Sequence, residues 1–240
     1  MRELNDYEKL ILNACEQSNI GLTEQILDQL EGYYNLLVEW NEKINLTAIT
    51  QKNDVYLKHF ADSIYGAKLL KKGATLCDIG TGAGFPALVL KIVRSDLKVT
   101  LVDALEKRIK FLNEVINKLG LSDVTTLHFR AEDKLFKDKY LNYFDVVMAR
   151  AVARMATLTE YCLPFVKIGG KFIAYKSDKI EDELKESNKA IPMLGGKMIK
   201  THIYDLDTDT KRWLVEIEKV KNTDKKYPRD KNKPKNNPIL

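Results

Sequence analysis

The chain has 240 residues, 45% of them apolar and 30% charged, with a formal net charge of +5. That length fits one ordinary α/β domain with a small appendage and excludes two large unrelated domains, while the composition excludes pervasive disorder. Residues 221–240, KNTDKKYPRDKNKPKNNPIL, hold seven Lys or Arg against Asp224 and Asp230, so the rest of the chain is neutral overall.

The first residues, MRELNDYEKLILNACEQ, carry charges where a signal peptide needs an unbroken apolar core, and no apolar run approaches the roughly 20 residues that span a bilayer. A cytoplasmic protein without membrane association is expected. Residues 3–17 read as a first helix. In residues 22–45, Ile26, Leu30, Tyr33, Leu37, Trp40 and Ile44 recur at steps of four and three, which predicts a second, amphipathic helix. DVYLKHFADSIYGAKLL, after the LTAIT loop, predicts a third. Residues 1–72 are therefore expected to form a helical lid or substrate-binding region.

From Ala74 the pattern changes to short β-rich runs, TLCDI, KVTLVD, VTTLHF, YFDVVMA and KFIAYK, alternating with helical ones. The helix at Glu106 shows its period through Leu105, Ile109, Leu112, Ile116 and Leu119. Nearly continuous apolar strands alternating with helices predict a parallel sheet covered on both faces. A helix around 182–190 and the Gly195, Gly196 turn lead to KMIKTHIY and RWLVEIEKV, whose short polar link predicts an antiparallel hairpin at the sheet edge. The expected fold is α/β, with a mostly parallel seven-stranded sheet over 73–221 and an N-terminal helical extension. Residues 222–240, with Pro228, Pro234 and Pro238 and no apolar period, are expected to be an extended basic tail that orders on binding.

The stretch LCDIGTGAGFP places Gly80, Gly82 and Gly84 in the first strand-to-helix turn, the usual ligand floor of an open parallel sheet. Dinucleotide sites use Gly-x-Gly-x-x-Gly, which would put a glycine at Phe85. The third glycine comes one residue early, and Asp78 precedes the first. A carboxylate there repels pyrophosphate and suits a ligand with an ammonium group, such as S-adenosylmethionine. Asp103 closes the next strand, where a carboxylate can accept both hydroxyls of an adenosine ribose or serve the helix that follows. Ala131 and Glu132 end the third strand, where backbone amides and one side chain could bracket an adenine.

NLLVEWNEKINLTAIT, KHFADSI, DIGTGAGFPAL, LVDALEKRIKFL, ARAVA and NTDKKYPRDKNKPK together resemble the RsmG (GidB) family of bacterial small-subunit ribosomal RNA methyltransferases, from about Tyr34 to Pro234. The resemblance implies a class I, Rossmann-like S-adenosylmethionine-dependent fold. It also implies methylation of guanine N7 in 16S rRNA, at position 527 in the 530 loop. The resemblance implies cofactor contacts at Gly80 and Phe85, at Ala131 and Glu132, and at Arg150 in ARAVA; Gly82 in the same turn is a further cofactor candidate, and Asp103 as the ribose ligand follows from the class I fold rather than from this family alone.

Guanine N7 has a free lone pair and no proton to lose, so alignment suffices and no catalytic residue is assigned. ARAVARM stands where exocyclic-amine enzymes carry an Asn/Asp-Pro-Pro-aromatic box, and Cys162 in YCLPF falls on an apolar helical stretch unsuited to a nucleophile. Arg154, Lys225, Lys226 and Arg229 are candidate RNA contacts. Arg150 and Lys176 are candidates for holding a carboxylate or phosphate, His59 for a lid role, and Phe85, Tyr56 and Phe60 for stacking, although each of these rings fits a core as well. Three cysteines at no metal spacing imply no metal site, and a monomer acting on a small-subunit particle is expected. A nicotinamide-dependent oxidoreductase and a non-enzymatic RNA-binding module on the same fold are the rival readings.

Overall fold

The computed structural model describes residues 3–177 and 180–240. The helices before the first strand are α1 (Asp6–Gln17), α2 (Glu24–Asn41), α3 (Lys52–Val55) and α4 (Asp62–Ile64). There follow β1 (Thr75–Ile79), α5 (Ala87–Val93), β2 (Lys98–Asp103), α6 (Glu106–Lys118), β3 (Val124–His128), α7 (Lys134–Tyr140), β4 (Phe144–Arg150) and α8 (Met155–Cys162). The chain ends through β5 (Val166–Lys176), α9 (Ile180–Ser187), α10 (Ala190–Met193), β6 (Gly196–Asp205), β7 (Lys211–Lys219) and α11 (Lys233–Asn236). The seven strands are ordered β3-β2-β1-β4-β5-β7-β6, and β7 is antiparallel to both β5 and β6. The expected parallel sheet with a C-terminal antiparallel hairpin is the observed one.

The described residues form two compact units, one of residues 1–74 and 81–128, the other of residues 75–80 and 129–240. In the first, α1 begins with a reciprocal cap: the Asn5 side chain accepts from Glu8 N at 3.0 Å, and the Glu8 carboxylate accepts from Asn5 N at 2.9 Å. Helix α2 buries Ile26, Leu30, Tyr33 and Leu37 of the predicted stripe, with Leu27 beside them, while Trp40 is half-buried and Ile44 lies beyond the helix. It ends at Asn41 rather than near Asn45, because the Asn41 side chain accepts from Leu46 N at 2.8 Å and Thr47 N at 3.0 Å and so organises the following loop. The third predicted helix is present without interruption from residue 52 to 69 but changes pitch: a π-helical turn, Tyr56–Ala61, and a 3-10 turn, Tyr65–Leu69, flank α4. Strands β2 and β3 pair in parallel, from Val99 opposite Val124 to Asp103 opposite His128. Helix α5 is buried throughout, Lys91 included, whose ammonium donates to the Ser95 and Leu97 carbonyls at 2.6 and 2.7 Å.

In the second unit β1 pairs in parallel with β4, and β4 with β5. Lys219, at the end of β7, is fully buried, and its ammonium donates to Leu163 O at 2.8 Å, to Leu194 O at 3.4 Å and to the Thr223 hydroxyl. Burial brings its pKa down to about 7 from an ordinary 10.5. Between those values the unfolded chain carries a proton that the folded one does not. Stability conferred at this site therefore rises with pH from 7 toward 10 and is lost on acidification. Urea midpoints measured at pH 7, 8, 9 and 10 are expected to rise more steeply for the native chain than for Lys219→Met. Parallel curves would contradict this.

The basic C-terminal segment is not the extended tail its composition predicts. Tyr227, Pro228, Pro234 and Ile239 are buried, and Arg229 forms a two-pronged ion pair with the fully buried Glu160 of α8, at 2.9 Å from Nε and 2.7 Å from Nη2. The Glu160 carboxylate would be costly to bury unpaired and Arg229 supplies its partner, a long-range pairing that composition cannot reveal.

Candidate active site

The strand order reverses at β1, with β2 and β3 on one side and β4 and β5 on the other. In such sheets ligands lie at the carboxyl ends of the strands around that reversal, where the glycine turn begins.

Within the first unit the turn is held from three directions. Thr81 N donates to Val102 O at 3.1 Å, and Gly84 N and Phe85 N donate to Thr81 O at 2.9 and 3.2 Å. Gly82 N donates to Asp103 Oδ2 at 2.9 Å. The Tyr33 hydroxyl donates to Ala83 O. Gly84 has φ +96, and a Cβ there would overlap the Tyr33 hydroxyl and lie 2.8 Å from Leu88 Cδ1. Glycine is required at that point for two separate reasons, the backbone conformation and the close approach of α2.

Asp103 is buried and already employed. Its Oδ1 accepts from Leu105 N at 2.9 Å, at the start of α6, and its Oδ2 accepts from Arg108 Nη1 at 3.2 Å as well as from Gly82. One carboxylate thus ties the glycine turn to the head of the next helix. The helix-start role open in the sequence is present, and Arg108 is a partner that sequence reasoning missed.

Phe85 is buried, its ring 5.4 Å from Tyr33 and 4.5 Å from His59, stacked on both. Phe60 lies 6.0 Å from Phe85, and Tyr56 lies 5.1 Å from Phe60. These rings form a core cluster rather than an exposed stacking platform. His59 sits in the π-helical turn, within 3.0 Å of the Thr47 hydroxyl. The cluster was legible only as separate apolar positions; its signal was the helical spacing that puts Tyr33 on the buried stripe of α2.

In the second unit Asp78 is fully buried on β1. Gly80 has φ +70, and a Cβ on it would fall 2.9 Å from Val152 Cγ2, so the loop after β4 lies close over this residue. Arg150 ends β4, and Ala151 follows with φ +58. Ala131 is buried and Glu132 half-buried, in a turn closed by Arg130 N to Asp133 Oδ2 at 2.7 Å and Asp133 N to Arg130 O at 3.1 Å.

Arg154 forms a bidentate ion pair with Glu186 at 2.9 and 2.6 Å on the exposed face. Lys176 donates to Ala153 O at 2.8 Å and to Glu183 Oε2 at 2.6 Å, and that oxygen also accepts from Met155 N at 2.8 Å. Glu183 was missed in the sequence, where nothing marks it among the acids of its helix. Lys225 and Lys226 are exposed, and Arg229 is committed to Glu160. The Cys162 and Cys77 thiols are fully buried, and burial, with the nearby Asp78 carboxylate, pushes both well above the ordinary thiol range. Cys162 is thus held in the unreactive thiol form.

Among the described residues no three His, Cys, Asp or Glu are grouped so as to hold a metal ion, and no helix is long and apolar enough to cross a membrane.

The family model of GidB, rRNA small subunit methyltransferase G, matches residues 26–213. Ribosomal RNA small subunit methyltransferase G of Lactobacillus helveticus is 50% identical over 242 residues, covering 97% of this chain and 98% of its own. The Staphylococcus aureus protein of the same name is 50% identical over 233 residues, covering 96% and 97%. Among solved structures, M. jannaschii TYW2 in complex with AdoMet aligns with a TM-score of 0.54 at 16% identity, over 66% of this chain and 75% of that one. A methyltransferase from Pyrococcus furiosus aligns with a TM-score of 0.54 at 20% identity, over 66% and 81%. The structural likenesses bear on the fold alone.

Proposed function

The chain belongs to the GidB family of rRNA small subunit methyltransferases, and on that premise we propose that it methylates N7 of one guanine of 16S rRNA, the 530-loop guanine, within a small-subunit particle. As an S-adenosylmethionine-dependent methyltransferase it replaces the nicotinamide-dependent and non-enzymatic readings left open by the sequence.

The observation that carries the site assignment is a backbone turn with positive φ at Gly80, Gly82 and Gly84, accompanied by carboxylates at two strand ends, Asp78 and Asp103, both buried. As acceptors, those carboxylates suit hydroxyls and an ammonium, and their charge opposes a pyrophosphate. In the proposal Gly80, Gly82 and Phe85 line the cofactor, Asp103 accepts from its ribose, Ala131 and Glu132 bracket its adenine, and Arg150 faces its carboxylate. When bound, the cofactor supplies a methyl group on a sulfonium already activated for displacement. The chain's own part is alignment, which the turn fixed by Tyr33 and Asp103 serves by holding its backbone in one conformation. No side chain has to take a proton from N7. Residues 1–72 serve as the substrate-binding lid in this reading, and Arg154 with the exposed Lys225 and Lys226 meets the RNA backbone.

A small-subunit RNA carrying 7-deazaguanosine at the target keeps the base's shape and pairing but has carbon in place of N7. It is expected to accept no methyl group, and methylation at the native rate would overturn the N7 assignment. The absence of a general base gives a second expectation. With both substrates saturating, the single-turnover rate stays level between about pH 6 and pH 9. A tenfold limb within that window would reveal a catalytic proton transfer and contradict the mechanism.

A further inference from the structure

Residues 227–237 hold Arg229, Lys231, Lys233 and Lys235 against Asp230 in a chain of net charge +5, yet their best-made bonds are internal. Arg229 N donates to Glu160 Oε1 at 2.8 Å, in addition to the two-pronged ion pair, and Arg229 Nη2 also donates to Asn237 O at 2.8 Å. Pro234 is buried, and its carbonyl accepts from the Thr157 hydroxyl on α8 at 2.9 Å. A segment whose sole task was to meet RNA phosphates would leave its guanidinium to solvent. Here it offsets a carboxylate whose burial is costly without it.

From this anchored segment three bonds reach the polypeptide after β3. Asn232 Oδ1 accepts from Arg130 Nη1 at 3.2 Å, while Pro228 O and Asp230 Oδ1 accept from Lys137 Nζ at 3.1 and 3.0 Å. Lys231 and Asn232 both adopt positive φ, +57 and +56, a backbone state that side-chain-bearing residues enter at a cost. The recipients close the turn that presents Ala131 and Glu132: Arg130 pairs with Asp133 across it, and Lys137 N donates to Asp133 O at 2.9 Å. Burial, with the Glu132 and Glu160 carboxylates, pushes the hydroxyl of Tyr161 on α8 up to about 12.

We propose that residues 227–237 form a clasp on the adenine end of the cofactor site, in which Glu160, Arg229 and Asn232 are positioning residues that set affinity for S-adenosylmethionine through the 130–133 turn. The inference rests on the reading of Ala131 and Glu132 as cofactor contacts. It gives the basic segment a role distinct from RNA binding. The segment holds a cofactor loop in its binding geometry, so its loss is felt in donor affinity, not in the chemical step.

The test uses the full-length protein and three variants, Arg229→Gln, Asn232→Gly and Glu132→Ala. S-adenosylhomocysteine affinity is measured by calorimetry, alongside KM for S-adenosylmethionine, kcat, thermal melting and the salt dependence of RNA binding. Asn232→Gly removes the bond to Arg130 while tolerating the positive φ, so it decides the matter if Arg229→Gln fails to fold. Arg229→Gln is expected to weaken S-adenosylhomocysteine on the order of tenfold and Asn232→Gly about threefold, with KM rising in step, kcat retained at saturating donor and the RNA salt slope unchanged. Unchanged S-adenosylhomocysteine affinity in the folded clasp variants overturns the clasp, and a shallower RNA salt slope with donor affinity intact would make the segment an RNA contact instead. Glu132→Ala separates the two levels. If it leaves S-adenosylhomocysteine affinity at the native value, the adenine-end reading itself fails; if it weakens binding while the clasp variants do not, only the clasp fails.

Discussion

Gly84→Ala is expected to lower stability by about 3 to 5 kcal/mol and to abolish measurable cofactor binding. Three costs meet at this residue. An alanine at φ +96 occupies a backbone region that favours glycine. Its Cβ overlaps the Tyr33 hydroxyl, which must then release Ala83 O inside a buried cluster. The methyl also presses on Leu88 Cδ1 at 2.8 Å and Leu112 Cδ2 at 3.1 Å, in α5 and α6. Urea unfolding and calorimetry with S-adenosylhomocysteine measure both effects. Adding Tyr33→Phe to Gly84→Ala removes the overlapping hydroxyl and is expected to restore part of the stability, because the backbone cost remains. A Gly84→Ala protein within 1 kcal/mol of the native chain would refute the close approach of α2 to the turn.

Asp103→Ala is expected to reduce kcat/KM by about 100-fold or more, since one buried carboxylate serves Gly82 N, Leu105 N and Arg108 and, in the proposed function, the ribose hydroxyls. The structural and ligand roles separate by measurement. Loss of the Leu105 and Gly82 bonds lowers the melting temperature of the protein alone, whereas loss of the ribose contact lowers the extra melting temperature that saturating S-adenosylhomocysteine confers. Both shifts are expected in Asp103→Ala. If ligand-induced stabilisation survives intact, Asp103 is a clamp for the turn and not a ribose ligand.

Much of the fold was legible because its signals are local. Thr75–Ile79 and Lys98–Asp103 match the apolar runs residue for residue, and α2 buries the stripe that steps of four and three foretell. Asp103 and the three glycines stood out for the same reason, since positive φ and strand-end carboxylates leave marks in a few adjacent residues. The rest depended on pairs far apart in sequence. Tyr33 reaches Ala83, Glu160 reaches Arg229, and Arg130 reaches Asn232, and none of these pairings alters the composition around either partner. The C-terminal segment shows the consequence: charge and proline content predicted an extended tail, whereas Glu160, Thr157, Lys137 and Arg130, all distant in sequence, bond to it as it lies folded back. The π-helical turn around His59 was equally hidden, because its residues follow an ordinary helical pattern.

In the proposed function the chain transfers a methyl group from S-adenosylmethionine to N7 of one guanine of small-subunit rRNA. The most direct measurement is to incubate the protein with methyl-labelled donor and small subunits from cells lacking it, then digest the RNA and identify the labelled nucleoside and its position. Label is expected at a single site, in 7-methylguanosine of the 530 loop. Label in a pyrimidine, on an exocyclic amine or at a guanine elsewhere in the subunit would contradict it.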